Sequence, residues 1–229
     1  MRIFPENVST YGQEIDHLFY FIAVFVIIAL VISVFALVYP LVKYNSKRVS
    51  KASYITGEKK NHFRWITIAL FLLAMSDFCI LLAEHNAWDV IEMDPPKNAM
   101  HMGVTGRQWN WIFTYPGPDG KLGTSDDVVI DSLNSEMHVP VNTNVVVDLK
   151  ATDVLHSFYV VNVRLKQDCI PGRTNMRWFN ITKEGRYDIS CAEICGMYHS
   201  RMRNFIVVES KEKYDQYIKD LYAKNAPKQ

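Results

Sequence analysis

Two long apolar runs near the N-terminus constrain this chain more than any other feature. Residues 18–42 contain no Asp, Glu, Lys or Arg. Roughly 20 apolar residues cross a bilayer as a helix, so this run spans one with some tilt. Asp16 and His17 close one end, and Pro40, Lys43 and Tyr44 mark the other. The second run, residues 65–88, carries Asp77 and Glu84. Trp65 and Trp88 bracket it where interfacial aromatics are expected. Core helices of a soluble protein are the alternative, but a basic loop between two such runs favours spans.

That loop sets an expected orientation. Lys43, Lys47, Arg48, Lys51, Lys59, Lys60 and Arg64 face a single acid there, Glu58. The segment before the first run is acidic, with Glu6, Glu14 and Asp16. The positive-inside rule puts the loop in the cytoplasm. The N-terminus and everything after Trp88 then lie on the outer face. A cleaved signal peptide has a shorter apolar region that ends in small residues. This run ends in Tyr-Pro and basic residues and reads as an uncleaved anchor.

From Met100 the pattern changes to short β-type runs broken by turn residues. Strands are expected over 109–115, 128–131, 145–149, 157–162, 176–181, 186–190 and 203–209. Gly117-Pro118-Asp119-Gly120, Pro171-Gly172 and Glu184-Gly185 make turns. This spacing predicts an antiparallel all-β sandwich. Ser210 can cap a last helix over 211–224, docked by Tyr214, Tyr217, Ile218 and Leu221. The expected division is 1–92 for the N-terminal segment and two spans, 93–209 for the β domain, and 210–229 for the helix and tail. A net charge of +1 gives no basic excess for general nucleic-acid binding.

The chemistry concentrates in Cys191-Ala192-Glu193-Ile194-Cys195-Gly196-Met197-Tyr198-His199-Ser200-Arg201-Met202. Two thiolates, an imidazole and a thioether fall within twelve residues. His156 adds an imidazole from a candidate strand. Soft sulfur with imidazole favours copper or zinc. A blue-copper site uses one Cys, so the second thiolate here suggests two coppers bridged by both, with one His each. Met202 and a backbone carbonyl would fill weak positions. A Cys191–Cys195 disulfide and a zinc site are the alternatives. A disulfide gives no reason for His199 and Met202, and zinc gives none for the thioether. Cys79 lies in a span, and Cys169 receives no role.

The pattern C-x-E-x-C-G-x-x-H-x-x-M, after D-V-L-H-S-F and D-x-I-P-G-R, resembles subunit II of cytochrome c oxidase. The resemblance implies two membrane helices followed by a cupredoxin-like Greek-key domain. It implies a dinuclear copper A centre on His156, Cys191, Cys195, His199 and Met202, with Glu193 supplying a backbone carbonyl. The Glu193 carboxylate would help bind a magnesium or manganese ion shared with subunit I. Asp168 and Arg173 match a segment at that same boundary. Gly106-Arg107-Gln108-Trp109-Asn110-Trp111 also matches, and Trp109 aligns with the tryptophan that receives electrons from cytochrome c. Trp111, Phe113 and Tyr115 read as structural. Asp153 is a candidate support for the site or a turn carboxylate.

The implied function is electron input to a haem–copper terminal oxidase. Electrons pass from cytochrome c to haem in subunit I, where oxygen is reduced and protons are pumped. The expected setting is a prokaryotic plasma membrane, given the inserted loop 117–127, with a mitochondrial inner membrane as the alternative. Rival readings are a copper A subunit of a nitric oxide reductase, a membrane-anchored copper chaperone or thiol protein, and a disulfide-linked structural subunit. No C-x-x-C-H occurs in this sequence, so no fused c-type haem domain is expected and the donor is expected to be a separate protein. Glu58 and His62 are weak candidates for proton uptake. Asp77 and Glu84, seven apart, share a helix face and read as bonded to a partner subunit or exposed at the interface. The acidic loop 119–127 reads as a solvated hairpin rather than a calcium site.

Overall fold

The computed structural model describes residues 4–49, 51, 56–92 and 95–225. It divides into two units. One is Glu14–Val90. The other joins the N-terminal segment, up to Gln13, to the chain from Ile91 onward. The N-terminal segment therefore groups with the β domain rather than with the two spans, unlike a division at residue 92 alone.

The helical unit holds most of α1 (Gly12–Lys43) and α2 (Lys60–Glu92). Both exceed the roughly 20 residues a bilayer needs. Their apolar side chains are exposed rather than packed: Phe35, Leu37, Leu41, Leu70 and Leu81 each have 60% or more of their surface free. A helix that is apolar all round and open to solvent requires lipid or protein around it. The two helices fit a membrane-anchored protein. Asp77 and Glu84 are exposed on α2.

The β unit is a sandwich of two five-stranded sheets followed by a helix, α3 (Lys211–Asn225). In chain order the strands are β1 Met100–Arg107, β2 Asn110–Tyr115, β3 Val128–Ile130, β4 Glu136–Pro140, β5 Asn144–Ala151, β6 His156–Val160, β7 Leu165–Cys169, β8 Asn175–Asn180, β9 Gly185–Cys191 and β10 Arg203–Glu209. One sheet runs β3-β2-β1-β5-β8 and the other β4-β10-β9-β6-β7. β1, β4 and β7 are additions to the strands expected from sequence. The sandwich is also not wholly antiparallel, because β1 pairs parallel with β5 and β10 parallel with β4. Met102, Val104, Trp111, Phe113, Leu149, Phe158, Ile189 and Ile206 fill the core.

The last helix docks as its spacing predicts. Tyr214 is buried, and Tyr217 stacks on His138 of β4 at 3.8 Å. Ser210 caps it, its Oγ accepting from the Lys213 N–H at 3.4 Å.

The N-terminal segment is a strap laid along the end of β8. Val8 N–H donates to the Asn162 carbonyl and Thr10 N–H to that of Asn180, while Thr182 N–H donates back to Val8. Tyr11 is buried edge-on against Trp178, with ring centroids 5.4 Å apart. The strap then caps α1: Ser9 Oγ accepts from the Gly12 N–H at 2.9 Å and hydrogen-bonds Asn7. Losing a cap of this kind costs about 1 kcal/mol. Ser9→Ala is therefore expected to destabilise the chain by about that amount, read as a lower midpoint in thermal unfolding. An unchanged midpoint would show that the cap carries no stability.

Candidate metal centre

β6 and β9 are neighbours, with Phe158 opposite Cys191. That pairing brings His156, the first residue of β6, beside the end of β9. The β9–β10 connection carries the remaining donors and is pinned at both ends. Cys191 N–H donates to the Met202 carbonyl, and Ala192 N–H to the Ser157 carbonyl. Between these points His199 N–H reaches Gly196, and a 3-10 turn at His199–Arg201 carries the chain to Met202. Gly196 has φ +119°, a conformation that strains any residue with a Cβ.

The donors converge. Ligating atoms of His156, Cys191 and Cys195 all lie within 4.8 Å of one another. The two sulfurs are 3.7 Å apart and unbonded, since both cysteines are free. His156 Nδ1 lies 3.8 Å from Cys191 Sγ, and His199 Nδ1 3.5 Å from Cys195 Sγ. Met202 Sδ lies 3.8 Å from Cys195 Sγ, and the Glu193 carbonyl 3.2 Å from Cys191 Sγ. Each thiol thus has its own imidazole, and each has a weaker donor beside it. His156, Cys195 and Met202 are buried.

The electrostatics favour a cation. Burial opposes ionisation of the Cys191 thiol, but hydrogen bonds with His156, Ser157, Glu193 and Cys195 outweigh it and bring the thiol down to about 6. Cys195 is pushed up to about 12 by burial and by the neighbouring Cys191. One thiolate forms readily, and the second needs a positive charge between them. A metal held by these donors would supply that charge as the proton leaves.

Supporting groups fix these candidate donors. Asp153 Oδ1 lies 2.9 Å from His156 Nε2, which leaves Nδ1 toward Cys191. Burial raises the Asp153 carboxyl, but bonds from Gln108 N–H, His156 and Val154 N–H hold it below its ordinary value. Asp153 therefore orients the histidine and also ties the turn. Trp109 is half-buried, and its indole N–H donates to the Cys195 carbonyl at 3.2 Å. Tyr198 packs edge-on against it at 4.8 Å.

The other singled-out residues lie as follows. The Glu193 carboxylate points outward to Lys166 Nζ at 3.3 Å, and Lys166 also reaches Asp168 at 3.8 Å. Arg173 closes a turn through its N–H to Ile170. Cys169 is buried on β7 opposite His156, its thiol pushed up to about 12 mainly by burial. Trp111, Phe113 and Tyr115 are fully buried. In the 119–127 loop, Asp119 and Asp127 accept backbone N–H bonds from Lys121 and Gly123, and Asp126 accepts from Thr124. Two contributors carry no chemical signature of their own in the sequence. Gln108 Nε2 donates to the Cys195 carbonyl at 2.7 Å, and Gly106 lies against the His156 ring.

Residues 100–211 match the family described as cytochrome c oxidase subunit II, periplasmic domain. The chain is 36% identical to the alternative cytochrome c oxidase subunit 2 of Bradyrhizobium diazoefficiens over 54% of its length and 51% of the relative's. It thus spans about half of that protein. It is 26% identical to cytochrome c oxidase subunit 2 of Cereibacter sphaeroides, over 94% of this chain and 78% of that one. Among solved structures, the periplasmic domain of subunit II of cytochrome oxidase (CoxB) from Bradyrhizobium japonicum superposes with a TM-score of 0.51 and 31% identity. That match covers 57% of this chain and 99% of the other.

Proposed function

Because the chain belongs to the subunit II family of cytochrome c oxidases, we propose that it is the electron-input subunit of a haem–copper oxidase. In this reading it accepts electrons from cytochrome c and delivers them to haem in subunit I. That partner reduces oxygen to water and pumps protons. The observation that carries the reading is the pair of unbonded thiols 3.7 Å apart, each with its own imidazole. A two-copper site needs this donor set, whereas a disulfide or a single zinc leaves part of it unused.

His156, Cys191, Cys195, His199 and Met202, with the Glu193 carbonyl, would hold the metal. When bound, a copper pair supplies one-electron chemistry shared between two ions, with little change in geometry. The protein contributes a fixed cage. The loop is pinned to β6 and β10, Asp153 sets the His156 ring, and burial of Cys195 and Met202 excludes water. Trp109 is the proposed point of electron uptake, since its indole N–H bonds directly to the carbonyl of a ligand residue. The outward Glu193 carboxylate would take a magnesium or manganese ion shared with subunit I, which suits a hard cation.

The proposed setting is a prokaryotic plasma membrane, with the β unit on the outer side. The basic loop between the helices supports that orientation. The strap agrees with two crossings, since these return the chain to the side it left. The test is to load the full chain in detergent with copper and record stoichiometry, visible absorption and electron paramagnetic resonance. Two coppers sharing one unpaired electron are expected. One copper, a preference for zinc, or a disulfide without metal would overturn the reading.

A further inference from the structure

We infer that Gln108 is a positioning residue that clamps the two halves of the ligand set to each other, an inference that rests on the copper-site reading above. The ligands come from separate parts of the β unit. His156 opens β6, and its orientation depends on Asp153. Cys195 and His199 ride on the β9–β10 connection. Gln108 lies in the turn between β1 and β2, in the opposite sheet, and touches both halves. Its backbone N–H donates to Asp153 Oδ2 at 2.7 Å, while Asp153 Oδ1 holds His156 Nε2 at 2.9 Å. Its side-chain amide donates to the Cys195 carbonyl at 2.7 Å. A carbonyl only accepts, so the NH₂ edge of Gln108 must face it.

The Cys195 carbonyl thereby receives two donors, from Gln108 and from Trp109. Together they fix the plane of the Cys195–Gly196 peptide. The approach is close enough that a Cβ on Gly196 would lie 3.0 Å from Gln108 Nε2 and 3.2 Å from Trp109 Nε1. Fixing this peptide anchors the backbone from which Cys195 presents its sulfur, and it anchors the Cα of Gly196, whose own carbonyl, in the next peptide, accepts from His199 N–H. Losing the Gln108 donor leaves the indole as the one remaining clamp on the carbonyl among the described residues. The consequence is a looser loop and a less uniform ligand field.

The test uses the full chain with Gln108→Leu, which removes donor and acceptor, and Gln108→Glu, which keeps the size and loses the donor at neutral pH. In metal-free protein, hydrogen exchange is followed at the bonded amides of Ala192, His199, Arg201 and Met202. Both variants are expected to exchange faster there and at wild-type rates in β1, β5 and β10. In copper-loaded protein, release to a chelator is expected to quicken about tenfold, the usual scale for a group that orients a ligand. The copper hyperfine pattern and midpoint potential are expected to shift. Wild-type exchange, release and potential in Gln108→Leu would overturn the inference. So would faster exchange across the whole β unit, because Gln108 would then serve the fold at large, and so would wild-type behaviour in Gln108→Glu. Should the wild-type chain bind no copper, the copper reading fails on its own while the metal-free exchange still decides whether the clamp exists.

Discussion

Cys195→Ser is expected to reduce copper binding from two ions per chain to one at most and to abolish the shared-electron resonance signal. Cys195 Sγ is the centre of the donor set, 3.7 Å from Cys191 Sγ, 3.5 Å from His199 Nδ1 and 3.8 Å from Met202 Sδ. A serine hydroxyl occupies the same place, but it is a hard donor and stays protonated at neutral pH, so it cannot bridge two soft ions. The remaining Cys191–His156 pair can still hold one ion. Metal analysis with electron paramagnetic resonance measures the outcome directly. Two coppers with a wild-type signal in Cys195→Ser would remove the bridging role and the electron-input reading with it. Cys169→Ala is the control. That thiol is buried on β7 and pushed up to about 12, and its loss is expected to leave the stoichiometry at two.

The candidate donor cluster was legible because its residues are local in sequence. Four donors lie within twelve residues, and soft ligands in one loop predict a soft metal wherever the loop folds. His156 was legible as an imidazole on a strand, but its partnership with Cys191 depends on the pairing of β6 with β9, which no local pattern encodes. Asp153 sits three residues before His156, near enough to suggest support, and the structure places it at 2.9 Å. Gln108 was visible only as a member of the matching Gly106–Trp111 segment, since an amide at a turn has no chemical signature and its partner lies 87 residues away.

The strands missed in sequence were missed for physical reasons. β1 contains Gly103 and Gly106, which lower strand propensity. β7 is an edge strand with Lys166, Gln167 and Asp168 turned partly to solvent, so it lacks an apolar alternation. β4 is five residues ending in Pro140. The parallel pairs were missed because a local pattern fixes which face a residue takes, not which distant strand lies beside it. The strap shows the same limit. The acidic N-terminal segment informs only the orientation of the first run, and no local pattern shows that Val8, Ser9 and Tyr11 are buried on the β unit.

Gly106→Ala is expected to damage fold and site together. The residue that weakens β1 as a strand signal is the one that makes room for the His156 ring. A Cβ there would lie 2.9 Å from Cδ2 and Cγ of the His156 ring and 3.1 Å from its Cβ. None of these is the free end of a flexible side chain. His156 is fully buried, Asp153 holds its ring, and Trp111 packs against it at 6.1 Å. Overpacking at a site that cannot yield costs about 1–3 kcal/mol, which lowers the unfolding midpoint of the β unit by roughly 2–12 °C. If the ring moves instead, Nδ1 turns away from Cys191, and copper affinity falls about 10–100-fold. Gly103→Ala separates the two effects. Its Cβ would meet Thr114 at 3.0 Å on the neighbouring strand, away from the ligands. Both variants should lose stability in thermal unfolding, and only Gly106→Ala should lose copper to a competing chelator. Equal copper retention in the two would mean that the glycine serves the sheet and not the histidine.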